Sequence, residues 1–116
     1  MSNRHEETEQ ATKSFAISEG SMLAPGRTRL LLQGHLDAEA APLLAKKLRL
    51  LLERGVLHLE LDCTELQFIS STGIGTIVAT VGEYRDAGGR IVVSRLSAGI
   101  LEVFESLDLL DYVEVL

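Results

Sequence analysis

Aromatic side chains are nearly missing from this chain: it has no Trp, and three Phe and two Tyr are the whole set in 116 residues. Any core must therefore be built from Leu, Ile and Val. Basic charge is also scarce. Eleven Lys and Arg against seventeen Asp and Glu leave a formal net charge of −6, which argues against direct contact with nucleic acid, where clustered cations must displace counterions. Cys63 is the single cysteine, so no intramolecular disulfide and no cysteine-based metal site can form. His5, His35 and His58 are scattered without the spacing of metal ligands, and no metal or cofactor is expected. No apolar run reaches the ~20 residues of a membrane span, and residues 1–10 are polar and acidic rather than basic and then apolar. Neither a signal peptide nor membrane insertion is expected, and the cytoplasm is the expected compartment.

What is present is a hydrophobic fraction of 46% in a length suited to one domain with one core. Residues 1–13 carry Glu6, Glu7 and Glu9 and no large apolar residue beyond Met1, so they read as a flexible tail ahead of a domain at residues 14–116. Alternating Phe15 and Ile17 suggest a short edge strand over residues 14–19, with a loop around Gly20, Pro25 and Gly26. The run Leu30, Leu31, Leu32 within residues 27–36 reads as a strand covered on both faces. From residue 40 to 54, Ala41, Leu44, Leu48, Leu51 and Leu52 recur at helical spacing, while Lys46, Lys47, Glu53 and Arg54 supply the wet side. Pro42 fits the first turn of that helix, with Asp37 as a capping or turn residue before it and Gly55 as its stop. Residues 56–61 alternate as a second strand, and residues 62–67 read as a loop.

The densest signal is residues 68–78, where Phe68 and Ile69 give way to Ser70, Ser71 and Thr72 and then to a helical pattern. That places three hydroxyls at a strand-to-helix junction, where a side-chain oxygen can cap free backbone N–H groups and the positive helix end can accept an anion. The helix is expected over residues 72–87, with Ile74, Ile77, Val78, Val81 and Arg85 in one stripe and Thr76, Thr80 and Glu83 on another face. Gly88 and Gly89 stop it. Residues 90–94 form a third buried strand, Ser97 caps a shorter helix through Ile100, Val103, Phe104 and Leu107, and residues 111–115 offer a last strand. Strands and helices that alternate with such short connections imply parallel pairing through right-handed crossovers. The fold class is α/β: a mostly parallel central sheet with an N-terminal edge strand and helices packed against it.

The successive segments Gly34-His35-Leu36-Asp37-Ala38-Glu39-Ala40-Ala41-Pro42, Leu59-Glu60-Leu61-Asp62, Phe68-Ile69-Ser70-Ser71-Thr72-Gly73-Ile74-Gly75 and Gly88-Gly89-Arg90-Ile91-Val92-Val93 resemble, in order, the signatures of a STAS domain. The likeness is greatest to the bacterial anti-sigma factor antagonists. It implies a protein that, when unphosphorylated, binds an anti-sigma factor that is also its serine kinase, so releasing the sigma factor, with a PP2C-type phosphatase to reset the switch. Carried over residue by residue, the phosphoacceptor is Ser71, with Ser70 and Thr72 as secondary candidates that read first as caps. The implied partner surface is Asp37, Ser70, Ser71, Thr72, Gly73 and Gly75 with the helix residues Thr76, Thr80 and Glu83, on a monomer or weak homodimer. Ser70 stands where the family places Asp, leaving one carboxylate fewer beside the acceptor. The alternative is a STAS domain serving as a constitutive structural subunit of a transport or stress-sensing assembly.

Catalysis by this junction is not expected. A nucleophile elbow needs glycine two residues before the serine, where this chain has Ile69, and no His follows His58 to complete the hydrolase order. Gly73-Ile74-Gly75 fails as a dinucleotide fingerprint because Val78 occupies the last glycine position, and the two glycines read instead as places where another backbone comes close. Cys63 has nothing basic beside it and reads as a small residue near a strand end.

Overall fold

The computed structural model describes residues 10–24 and 27–116. Six strands form one sheet in the order β1-β2-β3-β4-β5-β6: β1 Gln10–Ala11, β2 Phe15–Ala24, β3 Arg27–Leu36, β4 His58–Ile69, β5 Arg90–Ser94 and β6 Glu114–Val115. The β1–β2 and β2–β3 pairs are antiparallel; β3–β4, β4–β5 and β5–β6 are parallel. Helices α1 Ala41–Glu53, α2 Ser71–Asp86 and α3 Ala98–Ser106 each join two neighbouring parallel strands. Successive right-handed crossovers that advance one strand at a time put all three helices on one face of the sheet. The alternation of burial agrees, since Leu30, Leu32, Leu59, Leu61, Ile91 and Val93 are buried while Leu31, Glu60 and Val92, which point the other way, are only half-buried. The expected α/β class with a mostly parallel sheet is the fold observed.

Several boundaries differ from those expected. Gln10 and Ala11, inside the stretch read as tail, pair with Ile17 and Ala16, so β1 is the sheet edge and the strand through Phe15 is not. Residues 1–9 of that tail lie outside the described residues, as do Pro25 and Gly26. Gly20 belongs to β2 and not to a loop, because that strand continues through Ala24.

The largest difference is β4. Residues 62–67 are strand, not loop, making β4 twelve residues long. Two register shifts against β3 explain why it does not look like one: β3 advances two residues from Leu31 to Gln33 while β4 advances three from Asp62 to Glu65, and one residue from Gly34 to His35 while β4 advances two from Leu66 to Phe68. Each bulge inserts one residue, so the buried positions Cys63, Leu66 and Ile69 fall three apart and the alternation of a strand is lost. The second bulge lies beside Gly34, whose φ of 92° is unfavourable for other residues and whose Cβ position would lie 2.0 Å from the Ser14 carbonyl oxygen.

The helices follow their sequence stripes with informative exceptions. Lys47, expected on the wet side of α1, is buried and donates to Glu19 of β2 at 2.7 Å. Its long aliphatic stem covers apolar surface while the ammonium reaches the sheet margin. On α2 the buried residues are Gly73, Ile74, Ile77, Thr80, Val81 and Tyr84. Arg85, placed in the core stripe by spacing, is exposed; its guanidinium lies 4.5 Å from the ring centre of Tyr112 and donates to the Tyr112 carbonyl at 2.9 Å. Tyr84 takes the inward position and donates its hydroxyl to the Leu48 carbonyl of α1 at 2.8 Å. Ile100 and Phe104 bury α3, whereas Val103 and Leu107 are exposed, and the last strand is reduced to Glu114–Val115.

Candidate functional site

At the C-terminal ends of the parallel strands, β3 leads into the turn before α1 and β4 leads into α2. The two ends are tied together: Leu36 lies opposite Ile69, and the Ser70 amide donates to the Leu36 carbonyl at 2.9 Å.

The three hydroxyls do different things there. Ser70 has extended backbone and its Oγ accepts the Gly73 amide at 3.1 Å, which makes it the N-cap of α2. Ser71 and Thr72 follow as the first helical residues; both are exposed, and neither hydroxyl makes a hydrogen bond among the described residues. The first turn of α2 contains no carboxylate, so nothing in it offsets the partial positive charge of the exposed N–H groups.

Gly73 brings the helix onto the sheet. A Cβ there would lie 2.7 Å from the Leu36 carbonyl oxygen and 2.9 Å from Leu36 Cγ, so only glycine allows the approach. Gly75 has open space within 4 Å of its Cβ position, and the expectation that it too admits a neighbouring backbone is not met within this chain. It is exposed, and with Thr72, half-buried Thr76 and exposed Ala79 it gives α2 a smooth outer face of small side chains.

Two helix residues assigned to this surface sit elsewhere. Thr80 is buried, 3% exposed, because it falls between Ile77 and Tyr84 on the inward stripe, and its hydroxyl is satisfied by the Thr76 carbonyl at 2.8 Å. A bulky charge there would disrupt the core rather than test an interface. Glu83 lies ~18 Å along the helix from Ser71 at 1.5 Å per residue, and it pairs with Arg49 of α1 at 3.4 Å. Asp37 is beside the junction but serves its own turn: Oδ1 accepts the Ala40 amide at 2.9 Å and its carbonyl accepts the Ala41 amide at 2.9 Å. That turn leads to a helix start at Ala41 with Pro42 in the first turn.

One residue was not singled out from sequence. Phe68, two positions before Ser70, is 46% exposed, and its ring centre lies 6.0 Å from that of His35 on β3. The bulge at Gln67 turns it away from the core, so a residue that reads with Ile69 as the apolar end of the strand is instead a large apolar surface beside the hydroxyls. The legible signal is its rarity, one of five aromatics in the chain.

No group of three or more His, Cys, Asp or Glu that could hold a metal is found among the described residues. His58 lies at the opposite end of β4 from Ser71. Burial pushes the Cys63 thiol up to about 12, with the neighbouring Asp62 charge adding to the effect, so it stays protonated and unreactive near neutrality. No described helix is long and apolar enough to cross a membrane. The site is a surface: an exposed hydroxyl at a helix N-terminus, flanked by a smooth helix face and an exposed aromatic.

Among known proteins, a family profile described as "Mlab, STAS domain" matches residues 22–115. The anti-sigma-B factor antagonist of Bacillus subtilis (strain 168) is 29% identical over 82 residues, covering 71% of this chain and 74% of that protein. The anti-sigma-B factor antagonist of Listeria monocytogenes is 28% identical over 86 residues, 74% of this chain and 75% of that one. Two solved structures of SpoIIAA share the fold. The unphosphorylated anti-sigma factor antagonist SpoIIAA has a TM-score of 0.68 at 19% identity, covering 89% of this chain and 87% of that chain. The phosphorylated form, from Bacillus, has a TM-score of 0.68 at 20% identity, covering 89% and 91%. With the profile running from the end of β2 through β6, and with the parallel sheet and hydroxyl-capped α2 in place, this chain belongs to the STAS domain family.

Proposed function

We propose that this protein is a phosphorylation-switched anti-sigma factor antagonist. In the unphosphorylated state it binds an anti-sigma factor and so releases the sigma factor; that anti-sigma factor is a serine kinase that moves the γ-phosphoryl group of ATP onto Ser71 Oγ, and a PP2C-type phosphatase removes it. It is a cytoplasmic binding protein and not an enzyme. The observation that carries this reading is the division of labour at the junction: Ser70 is committed to capping, while the adjacent Ser71 hydroxyl is exposed and makes no hydrogen bond among the described residues. Two relatives are named as anti-sigma-B factor antagonists, and SpoIIAA has been solved with and without phosphate, which supports it.

Phosphate would add roughly −1.5 to −2 charge where the α2 dipole tolerates it best. The packing of Ile74, Ile77 and Val81 beneath need not change. The cost falls on the complex, because a partner surface fitted to a neutral hydroxyl must desolvate a dianion; a loss of about a hundredfold in affinity is expected.

The test is incubation with the cognate kinase and ATP, followed by intact-mass analysis and peptide mapping. One added phosphate on Ser71, absent from Ser71→Ala, is expected, with hydrogen-exchange changes confined to residues 68–77. Phosphate on Ser71→Ala at the wild-type level would move the acceptor to Ser70 or Thr72. No incorporation at all, with tight binding that never releases, would favour the constitutive structural subunit.

A further inference from the structure

The face of the sheet turned away from the helices carries charged rows that the switch does not use. In the first row Arg27, His58 and Arg90 lie directly opposite one another on β3, β4 and β5. Register side by side on parallel strands puts the three side chains on one face, about 5 Å apart from neighbour to neighbour. All three are exposed. Arg27 and Arg90 flank His58 with like charges, and the sheet neutralises only part of the row.

Arg90 is held by both carboxylate oxygens of Glu114, one of them 2.7 Å from Nε. One strand position further on, Glu60 is occupied by Arg29 at 3.4 Å and by the Ser94 hydroxyl at 2.6 Å. Arg27 and His58 have no ion pair or hydrogen bond among the described residues, in a chain whose net charge is −6. They open onto a concavity of about 180 Å³, whose wall also takes in Thr28, Leu59, Glu60, Arg90, half-buried Val92 and Leu116, 75% exposed.

We propose that this concavity binds a small monocarboxylate carrying a short hydrocarbon group. The carboxylate sits on the Arg27 guanidinium fork and the His58 ring N–H, and the hydrocarbon lies against Val92 and Leu116. A monoanion suits the site better than phosphate: one guanidinium uncommitted among the described residues matches one planar carboxylate, Leu59, Val92 and Leu116 give the wall an apolar part, and the Glu60 carboxylate in that wall, already occupied by Arg29 and Ser94, repels a dianion more strongly. The site lies roughly 40 Å from Ser71 along β4 at ~3.3 Å per residue, so an occupant would not cover the hydroxyl junction.

The experiment is an amide-resolved NMR titration of the full chain with 4-methylpentanoate, 4-methylpentanol and inorganic phosphate. The carboxylate is expected to give saturable shifts at residues 27–28, 58–60, 90–92 and 116 with a Kd of about 1 mM, the range such a small ligand can reach. The alcohol and phosphate should each bind at least roughly tenfold more weakly, and Arg27→Gln, at an exposed site, should weaken carboxylate binding by roughly tenfold. Absence of saturable shifts overturns the proposal. So does phosphate binding as tightly as the carboxylate, or an affinity unchanged by Arg27→Gln while Leu116→Asn, also exposed, leaves it unchanged too.

Discussion

Adjacent hydroxyls at 70, 71 and 72 differ in consequence because backbone position, not residue type, decides what each can do. Ser70→Ala removes the Oγ that accepts the Gly73 amide and should lower stability by about 1 kcal/mol in urea unfolding, while Ser71→Ala should change it by less than about 0.5 kcal/mol. Equal losses in the two variants would mean that Ser71 has a structural duty. Phe68 carries a different expectation. Exposed aromatics beside a recognition site often anchor a partner, so if the proposed function holds, Phe68→Ala should weaken binding of the proposed anti-sigma factor partner by at least tenfold, or about 1.4 kcal/mol, with the unfolding midpoint nearly unchanged. Isothermal titration against the same partner, with a phosphomimetic Ser71→Glu alongside, separates this contact from the charge effect at the junction.

Between elements, the strand-to-helix junction depends on one missing methyl group. Gly73→Ala would press a Cβ against the Leu36 carbonyl at 2.7 Å, next to the Leu36–Ser70 bond that ties β3 to β4, so either α2 shifts or that bond opens. A loss of about 2–3 kcal/mol is expected, against less than about 0.5 kcal/mol for Gly75→Ala two residues on, where space is open and alanine favours helix. Thermal unfolding of the two variants measures the contrast. The neighbouring β4 shows the same dependence on local detail: without the bulge at Gln67 alone, Phe68 would follow inward-facing Leu66 by two residues and face the core.

For the whole molecule, the acidic balance makes low pH informative. Burial of Asp62 would by itself raise its pKa and is the largest single influence. Bonds from the Thr64 hydroxyl at 2.6 Å and amide at 3.0 Å, with the charges of Arg95 and Arg29, outweigh it and hold the carboxyl below its ordinary 3.8. The native state therefore keeps this charge to lower pH than the unfolded chain does. Its stabilising contribution is complete above the unfolded pKa and is lost as pH falls through the lower native value. Asp62→Asn should thus be less stable than wild type at pH 6, and the gap should close as pH falls below 3.8; urea midpoints across pH 2–7 would show it, and a gap independent of pH would assign the effect to packing instead.

The sequence by itself determined the elements whose periodicity is simple. α1 and α2 begin within one residue of where their caps, proline and stripe put them, β5 spans the expected residues 90–94, and the order of strands and helices required parallel crossovers. The hydroxyl junction was legible too, since three such residues before a helical stripe have few other places to be. Tertiary structure alone decided the rest. Bulges erased the period of β4 and turned Phe68 outward; the angular spacing of α2 around its axis carried Thr80 inward and Arg85 outward; a long apolar stem let Lys47 sink while its charge reached Glu19. The row Arg27, His58 and Arg90 spans residues far apart in the chain and exists only because of strand register, which no local pattern encodes.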